Sequence, residues 1–214
     1  MKDFPVFTTD TGVSSLTLGQ IPYRKEAYIV LRDVQPGGLE DHIAECASFC
    51  RMAGAEHVYA CGGEGLERWP LHTAVYEMRG VPRLDEALLE NIWPVTAETV
   101  GRWRTIYNER MAGVDTAGVL EARDEEKILA SAGAYFIHRA GELLGIGWIT
   151  EDTLKAVASV RPGEGLRVAT TLLSVMPQQS LRLEVASTNE RAIRLYQRLG
   201  FLKVAELTRW HKIF

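Results

Sequence analysis

One arrangement is written twice in this chain. An apolar, β-rich segment ends in Val-x-Pro-Gly, a helical stretch with Gly-Leu at its start follows, and a second apolar segment comes next. The first copy runs from Val34 to Tyr59 and the second from Val160 to Val185. Each copy changes its hydrophobic period from about 2 to about 3.6 residues at a glycine turn, which reads as strand, turn, helix and strand. Strands alternating with helices in this way imply an α/β (α+β) protein with a mixed sheet flanked by helices. The echo also implies internal duplication, although two unrelated strand–turn–helix units can share these residues.

The rest of the pattern fits around the two copies. Val13–Leu18 alternates as a strand and Ala27–Val34 is a second one. Leu39 to Met52 has helical spacing, with Leu39, Ile43, Cys46, Ala47 and Cys50 on one stripe and Gly54 as its stop. His57–Cys61 and Thr73–Met78 read as strands, and residues 80–94 as a connector with Pro82 and Pro94 near its edges. Thr99 to Met111 reads as a helix, and 112–125 as a second helix or a loop. Strands resume at Ala134–His138, Leu143–Thr150 and Leu154–Val160, the first two joined by a hairpin at Arg139-Ala140-Gly141-Glu142. A helix at Leu166–Met176, a strand at Leu181–Ala186 and a helix at Asn189–Leu199 come next, and Gly200 ends the last. Two closing strands are expected near Phe201–Glu206 and Thr208–Ile213. This division places a half-module in residues 1–84 and a complete module in residues 85–214.

Composition removes several function classes. Of the 214 residues 46% are hydrophobic, ample for a buried core. The net charge of −4 and the short basic cluster Arg102–Arg104 argue against a nucleic-acid partner. No segment approaches the roughly 20 apolar residues of a membrane span, and the first thirty residues lack a secretory run, so a cytoplasmic protein is expected. The odd count of three cysteines fits free, buried thiols. His42, Cys46 and Cys50 share a helical face, but that face also carries the helix's apolar residues, so no metal site is assigned.

The chemistry concentrates in Leu181 to Phe201. Strand alternation turns Leu181, Leu183 and Val185 one way and Arg182 and Glu184 the other. Ser187-Thr188-Asn189-Glu190 has the form of a capping box that starts a helix. Asn189 and Tyr196 stand nearly two turns apart on that helix and share a face. Glu184, Asn189 and Tyr196 are therefore expected along one side of a cleft. A carboxylate and a phenol at one site suit proton removal and proton donation. The bland alternatives are a Glu184 paired with Arg182, Arg191 or Arg194, a packing Tyr196 and a capping Asn189.

The segment resembles the GCN5-related N-acetyltransferases. Asn189, Ala192, Tyr196, Gly200 and Phe201 match their Asn-x-x-Ala-x-x-x-Tyr-x-x-x-Gly-Phe pattern, and the Leu-Glu-Val strand is similar to the ribosomal-protein alanine N-acetyltransferase branch. The resemblance covers about residues 90–214. It implies transfer of an acetyl group from acetyl-CoA to a primary amine on a small molecule or peptide. In it Tyr196 is the acid for the departing thiolate, Glu184 the base and Asn189 a contact to the cofactor arm. Cofactor contacts are also implied at Val160, Gly165, Leu166, Arg167, Val168 and Ala169, where backbone N–H groups and a helix N-terminus would hold the pyrophosphate.

This loop departs from the family pattern at two places. Glu164 stands where an amide or basic residue is expected, and Arg167 replaces a glycine. Arg167 is also a charge-assisted donor suited to phosphate. Residues 1–84 lack the Asn-to-Phe pattern, and Glu40 and Asp41 follow their turn, so they read as a degenerate half-module that shapes the acceptor cleft. The leading expectation is an enzyme, an N-acetyltransferase, with a homodimer as one admissible assembly. The rival is a weakly active or inactive acyl-CoA-binding or regulatory protein with the same fold.

Overall fold

The computed structural model describes residues 5–176 and 179–214. The chain forms two compact units, Met1–Val75 with Glu206–Phe214, and Tyr76–Ala205. The sequence division at 84/85 differs from this one. The end of the chain belongs to the first unit because its backbone is bonded there: Ile213 N–H donates to Val58 O at 2.8 Å and Val58 N–H to Phe214 O at 3.2 Å.

The first unit begins with β1 (Val6–Thr9), β2 (Gly12–Thr17), the single turn α1 (Ile21–Arg24) and β3 (Glu26–Val34). These strands form an antiparallel meander. Helix α2 (Leu39–Met52) then leads to β4 (His57–Cys61), which pairs parallel with β3. The predicted α2 stripe is the buried one: Ile43, Cys46 and Cys50 pack with Ile29, Leu31, Val58 and Ala60. Strand β5 (Leu71–Gly80) runs out of this unit in sequence.

The second unit has β6 (Asn91–Pro94), α3 (Val100–Met111), α4 (Glu125–Ala130), β7 (Ala134–Arg139), β8 (Glu142–Thr150) and β9 (Thr153–Ser159), followed by α5 (Gly165–Leu173), β10 (Leu181–Ala186) and α6 (Glu190–Arg198). β6 to β9 form an antiparallel meander, and β10 pairs parallel with β9. The last strand, β11 (Leu202–Lys212), is continuous, and its end pairs antiparallel with β4. The two closing strands expected from the sequence are thus one, since no glycine or proline interrupts Glu206-Leu207-Thr208. β6 lies inside the expected connector; it is short and ends in Pro94, which an edge strand tolerates. The second helix sought in 112–125 starts at Glu125, after a turn in which Glu121 and Asp124 cap each other.

The echo is real in topology: meander, turn, helix and parallel strand occur in both units. Its register differs from the reading that matched Gly38-Leu39 with Gly165-Leu166. Gly37 (φ +79°) and Gly163 (φ +86°) occupy the same left-handed position, available to glycine without strain. The next residues cap the helices with nearly identical backbones, Gly38 at φ −91°, ψ 1° and Glu164 at φ −87°, ψ 3°. Glu164 therefore takes the place of Gly38. Helix α5 lies unusually close on β8: a Cβ on Gly145 would stand 2.7 Å from Val168 Cγ1, and one on Gly147 2.2 Å from Leu172 Cδ2.

Candidate functional site

The site starts from where strand pairing stops. β9 and β10 are in register at Thr153↔Arg182 and Leu154↔Leu183. Immediately beyond, the β8–β9 register slips, with Trp148 opposite Ala156 and Ile149 opposite Leu154, so Lys155 is a bulge. A bulge bends its strand and ends local pairing. Among the described residues no strand pairing joins Lys155–Ser159 on one side to Glu184–Ala186 on the other. Strand edges opened in this way present amide N–H and C=O groups that suit an extended, amide-bearing ligand.

Three candidate side chains, Glu184, Asn189 and Tyr196, come from β10 and the start and middle of α6. Leu181, Leu183 and Val185 are buried in one core with Tyr196, Leu199 and Phe201, whereas Arg182 and Glu184 are exposed. Glu184 therefore lies on the face of β10 opposite that of Tyr196. The expectation that both line one side of a cleft is corrected by this alternation: they flank the strand. Glu184 makes no hydrogen bond or ion pair among the described residues. Two of the three arginines weighed as its partners point elsewhere, Arg182 to Thr153 and Asp152 and Arg194 to Glu190.

Tyr196 is 8% exposed and stands edge-on to Phe201, with ring centroids 6.1 Å apart. Among the described residues its hydroxyl makes no hydrogen bond, and the side chain as a whole is buried. Burial pushes the phenol up to about 12, which keeps it protonated through the physiological range. Asn189, not Ser187, caps α6: its Oδ1 accepts from Ala192 N–H at 3.2 Å. The cap uses the carbonyl end of the side chain and leaves the NH₂ end as a donor.

Of the predicted loop contacts, Gly165, Leu166 and Arg167 form the first turn of α5, where backbone N–H groups have no partner within the helix. Val168 N–H is bonded to Glu164 O at 2.9 Å, and the side chains of Val168 and Ala169 are fully buried. Val160 N–H is bonded to Leu144 O at 2.8 Å. These three residues shape the turn and pack it. The Arg167 guanidinium is held by Glu90 at 2.8 Å and Glu164 at 3.2 Å, and Arg139 holds the other oxygen of Glu164 at 2.8 Å. Arg161 pairs with Glu142 at 2.7 Å. The sequence could place Glu164 beside Arg167, but it gave no sign of Glu90, just before β6, or of Arg139, at the end of β7.

The remaining histidines, cysteines, aromatics and acids with potential chemistry lie mostly in structural settings. His42 is fully buried, with Nδ1 2.7 Å from Thr9 Oγ1 and Nε2 2.7 Å from Ser14 Oγ. Cys46, Cys50 and Cys61 are free and buried. Burial raises all three thiols, to about 11 or 12, which makes them poor nucleophiles. His211 Nδ1 is 2.9 Å from Trp69 O. His138 lies in β7 with its Nδ1 enclosed and unpartnered. Trp103, Tyr107 and Trp148 belong to the core under α3, with the indoles donating to Tyr135 O at 3.0 Å and Ser131 Oγ at 2.9 Å. Glu151 takes a left-handed turn position, and Asp152 is held below the usual carboxylate range by the Thr153 hydroxyl and Arg182. One contact escaped the sequence altogether: Thr188 donates to Asp115 Oδ2 at 2.6 Å, tying the loop after α3 to the residue before Asn189. The same loop is pinned at Leu120, whose N–H and C=O both bond the Asn108 amide at 2.9 Å. Among the described residues no helix is long and apolar enough to cross a membrane.

No protein-family description matches the chain, and no curated protein is similar to it in sequence. Solved structures are. A GCN5-related N-acetyltransferase from Sphaerobacter thermophilus superposes with a TM-score of 0.60 at 13% identity, covering 94% of this chain and 75% of that one. A conserved protein of unknown function from Enterococcus faecalis, described as a probable N-acyltransferase, gives 0.62 at 13% identity, with 94% and 58% covered. A functionally unknown conserved protein from Staphylococcus epidermidis gives 0.58 at 11% identity, with 99% and 94% covered.

Proposed function

We propose that this chain, which has the fold of the GCN5-related N-acetyltransferases, is an acyltransferase that moves an acetyl group from acetyl-CoA to a primary amine. The observation that carries the reading is the opening between β9 and β10, with Tyr196 and Glu184 toward opposite faces of β10. A pantetheine arm is an extended chain with two amides, and the unpaired strand edges suit it. The diphosphate end fits less well, because the arginines there are already paired. The bound donor supplies an activated thioester.

The chain's own residues would do the rest. The amine nitrogen attacks the thioester carbonyl, and Glu184, directly or through a water, takes the amine's proton. The carbon–sulfur bond breaks and the Tyr196 hydroxyl gives its proton to the departing thiolate. The burial that raises the phenol also raises a thiolate leaving into the same surroundings, so the two remain matched for transfer. Acid and base on opposite faces of β10 suit an amine arriving from one face and a thiol leaving toward the other.

Release of CoA thiol from acetyl-CoA, measured against a panel of amines and peptides, tests this. Turnover with an amine is the expected result, and Glu184→Gln should reduce it about 10–100-fold at neutral pH. Absence of turnover across the panel, with acetyl-CoA still bound, favours the rival regulatory reading. That reading draws on the paired arginines at α5, which predict weak nucleotide affinity.

A further inference from the structure

The start of α5 is closed by charge. Glu164 caps the helix without bonding its N–H groups; its carboxylate turns to Arg139 at 2.8 Å and Arg167 at 3.2 Å. Arg167 also reaches Glu90 at 2.8 Å, with Arg139 4.0 Å from the same oxygen. Two guanidinium groups and two carboxylates sum to zero. Arg161, the remaining cation of the turn, is taken by Glu142. The Glu90 side chain is only 11% exposed, and Thr171 holds its backbone by donating to Leu88 O and accepting from Glu90 N–H. A diphosphate seated here would have to draw Arg167 away from a nearly buried carboxylate, leaving it only the longer contact to Arg139, and would itself lie beside Glu164. Both steps are unfavourable.

From this we infer that Glu90 and Glu164 exclude the nucleotide diphosphate from recognition, and that the donor is held by its pantetheine arm: the site takes a phosphopantetheine thioester. This rests on the acyltransfer reading and narrows its donor. Such a thioester exists free or attached to an acidic carrier protein. The exposed Arg191 and Arg198 on α6, which starts at the Asn189 end of the opening, suit the second source.

Calorimetric titration of the wild-type chain with pantetheine, 4′-phosphopantetheine, CoA and adenosine 3′,5′-bisphosphate tests the inference without any variant. CoA and 4′-phosphopantetheine should bind within about threefold of each other, and the bisphosphate should neither bind nor compete. CoA binding about 30-fold or more tighter than 4′-phosphopantetheine would overturn the inference while leaving the acyltransfer reading intact. No binding by any pantetheine compound would overturn both. The Glu90→Gln, Glu164→Gln double variant, checked for an unchanged circular dichroism spectrum, should tighten CoA about tenfold and leave phosphate-free pantetheine unchanged; Glu164→Gln alone, at the more exposed position, should give a smaller gain of the same sign. Adding a phosphopantetheine-bearing acyl carrier protein separates the sources: tighter binding than free 4′-phosphopantetheine assigns the carrier, and equal binding the free thioester.

Discussion

The two strand–turn–helix units share a backbone and differ in whether they are closed. In the first, β3 and β4 pair without a break from Glu26↔His57 to Val30↔Cys61, and the chain then folds tightly back. A Cβ on Gly62 would stand 2.9 Å from Leu31 O, and one on Gly63 2.5 Å from Leu31 Cδ1. In the second, the β9–β10 pairing ends at Leu154↔Leu183. The helix starts differ as well. His42 and Val168 occupy the same position, each lying over a strand glycine, Gly12 or Gly145. His42 ties α2 to Thr9 and Ser14, whereas Val168 packs with Ile137 and Leu144. The first α2 turn carries Glu40 and Asp41; the first α5 turn has no acidic residue. What turns a shared scaffold into a candidate site is the position of one bulge, not the turn.

The largest expected effect tests the open unit. Tyr196→Phe should lower turnover about 100-fold or more while the dissociation constant for 4′-phosphopantetheine stays within about twofold. Because Tyr196 is pushed to about 12, wild-type turnover should show no descending limb near the ordinary tyrosine value of about 10. A limb near 10 that vanishes in Tyr196→Phe would contradict its buried setting.

The closed unit is probed by giving it the open unit's residue. His42→Val leaves the fully buried Ser14 hydroxyl, and the Thr9 hydroxyl, without the imidazole, at an expected cost of about 2–3 kcal/mol in chemical denaturation. Burial lowers the His42 pKa against the opposing pull of Glu45, so the native state holds the ring neutral. The unfolded chain takes up a proton below about 6.5 and the folded one resists, so stability is complete above that value and declines as pH falls below it. His42→Val should flatten this decline in a melting series at about pH 5–7.5. Next in size, Gly145→Ala forces a Cβ to within 2.4 Å of Ala158 O as well as into Val168. It should cost about 1–3 kcal/mol and weaken donor binding by shifting α5.

Much of this was legible in the residues. Hydrophobic pattern set α2, β4 and β10 to the residue, because α2 and β10 each bury one regular face and β4 is a short, continuously buried run. The Asn-to-Phe pattern pointed to the helix that holds Tyr196 and Asn189. What was not legible depends on distant partners. Glu90 and Arg139 meet Glu164 and Arg167 only because β6, β7 and α5 converge. The opening depends on a one-residue register slip at Lys155, which leaves no mark in composition. β1 and β6, four residues each, are too short for a period to show.

The smallest effect separates two roles of one side chain. Asn189 caps α6 through its carbonyl oxygen, and a donor ligand would use its NH₂ group. Asn189→Ala removes both and should cost about 1 kcal/mol of stability. Asn189→Asp keeps the accepting oxygen, and its charge suits a helix N-terminus, so the melting temperature should hold or rise slightly. If the NH₂ group serves the open unit, 4′-phosphopantetheine should bind about threefold to tenfold more weakly to Asn189→Asp despite that stability. Unchanged binding would reduce Asn189 to a cap. The difference between the units would then rest on the bulge, Tyr196 and Glu184 alone.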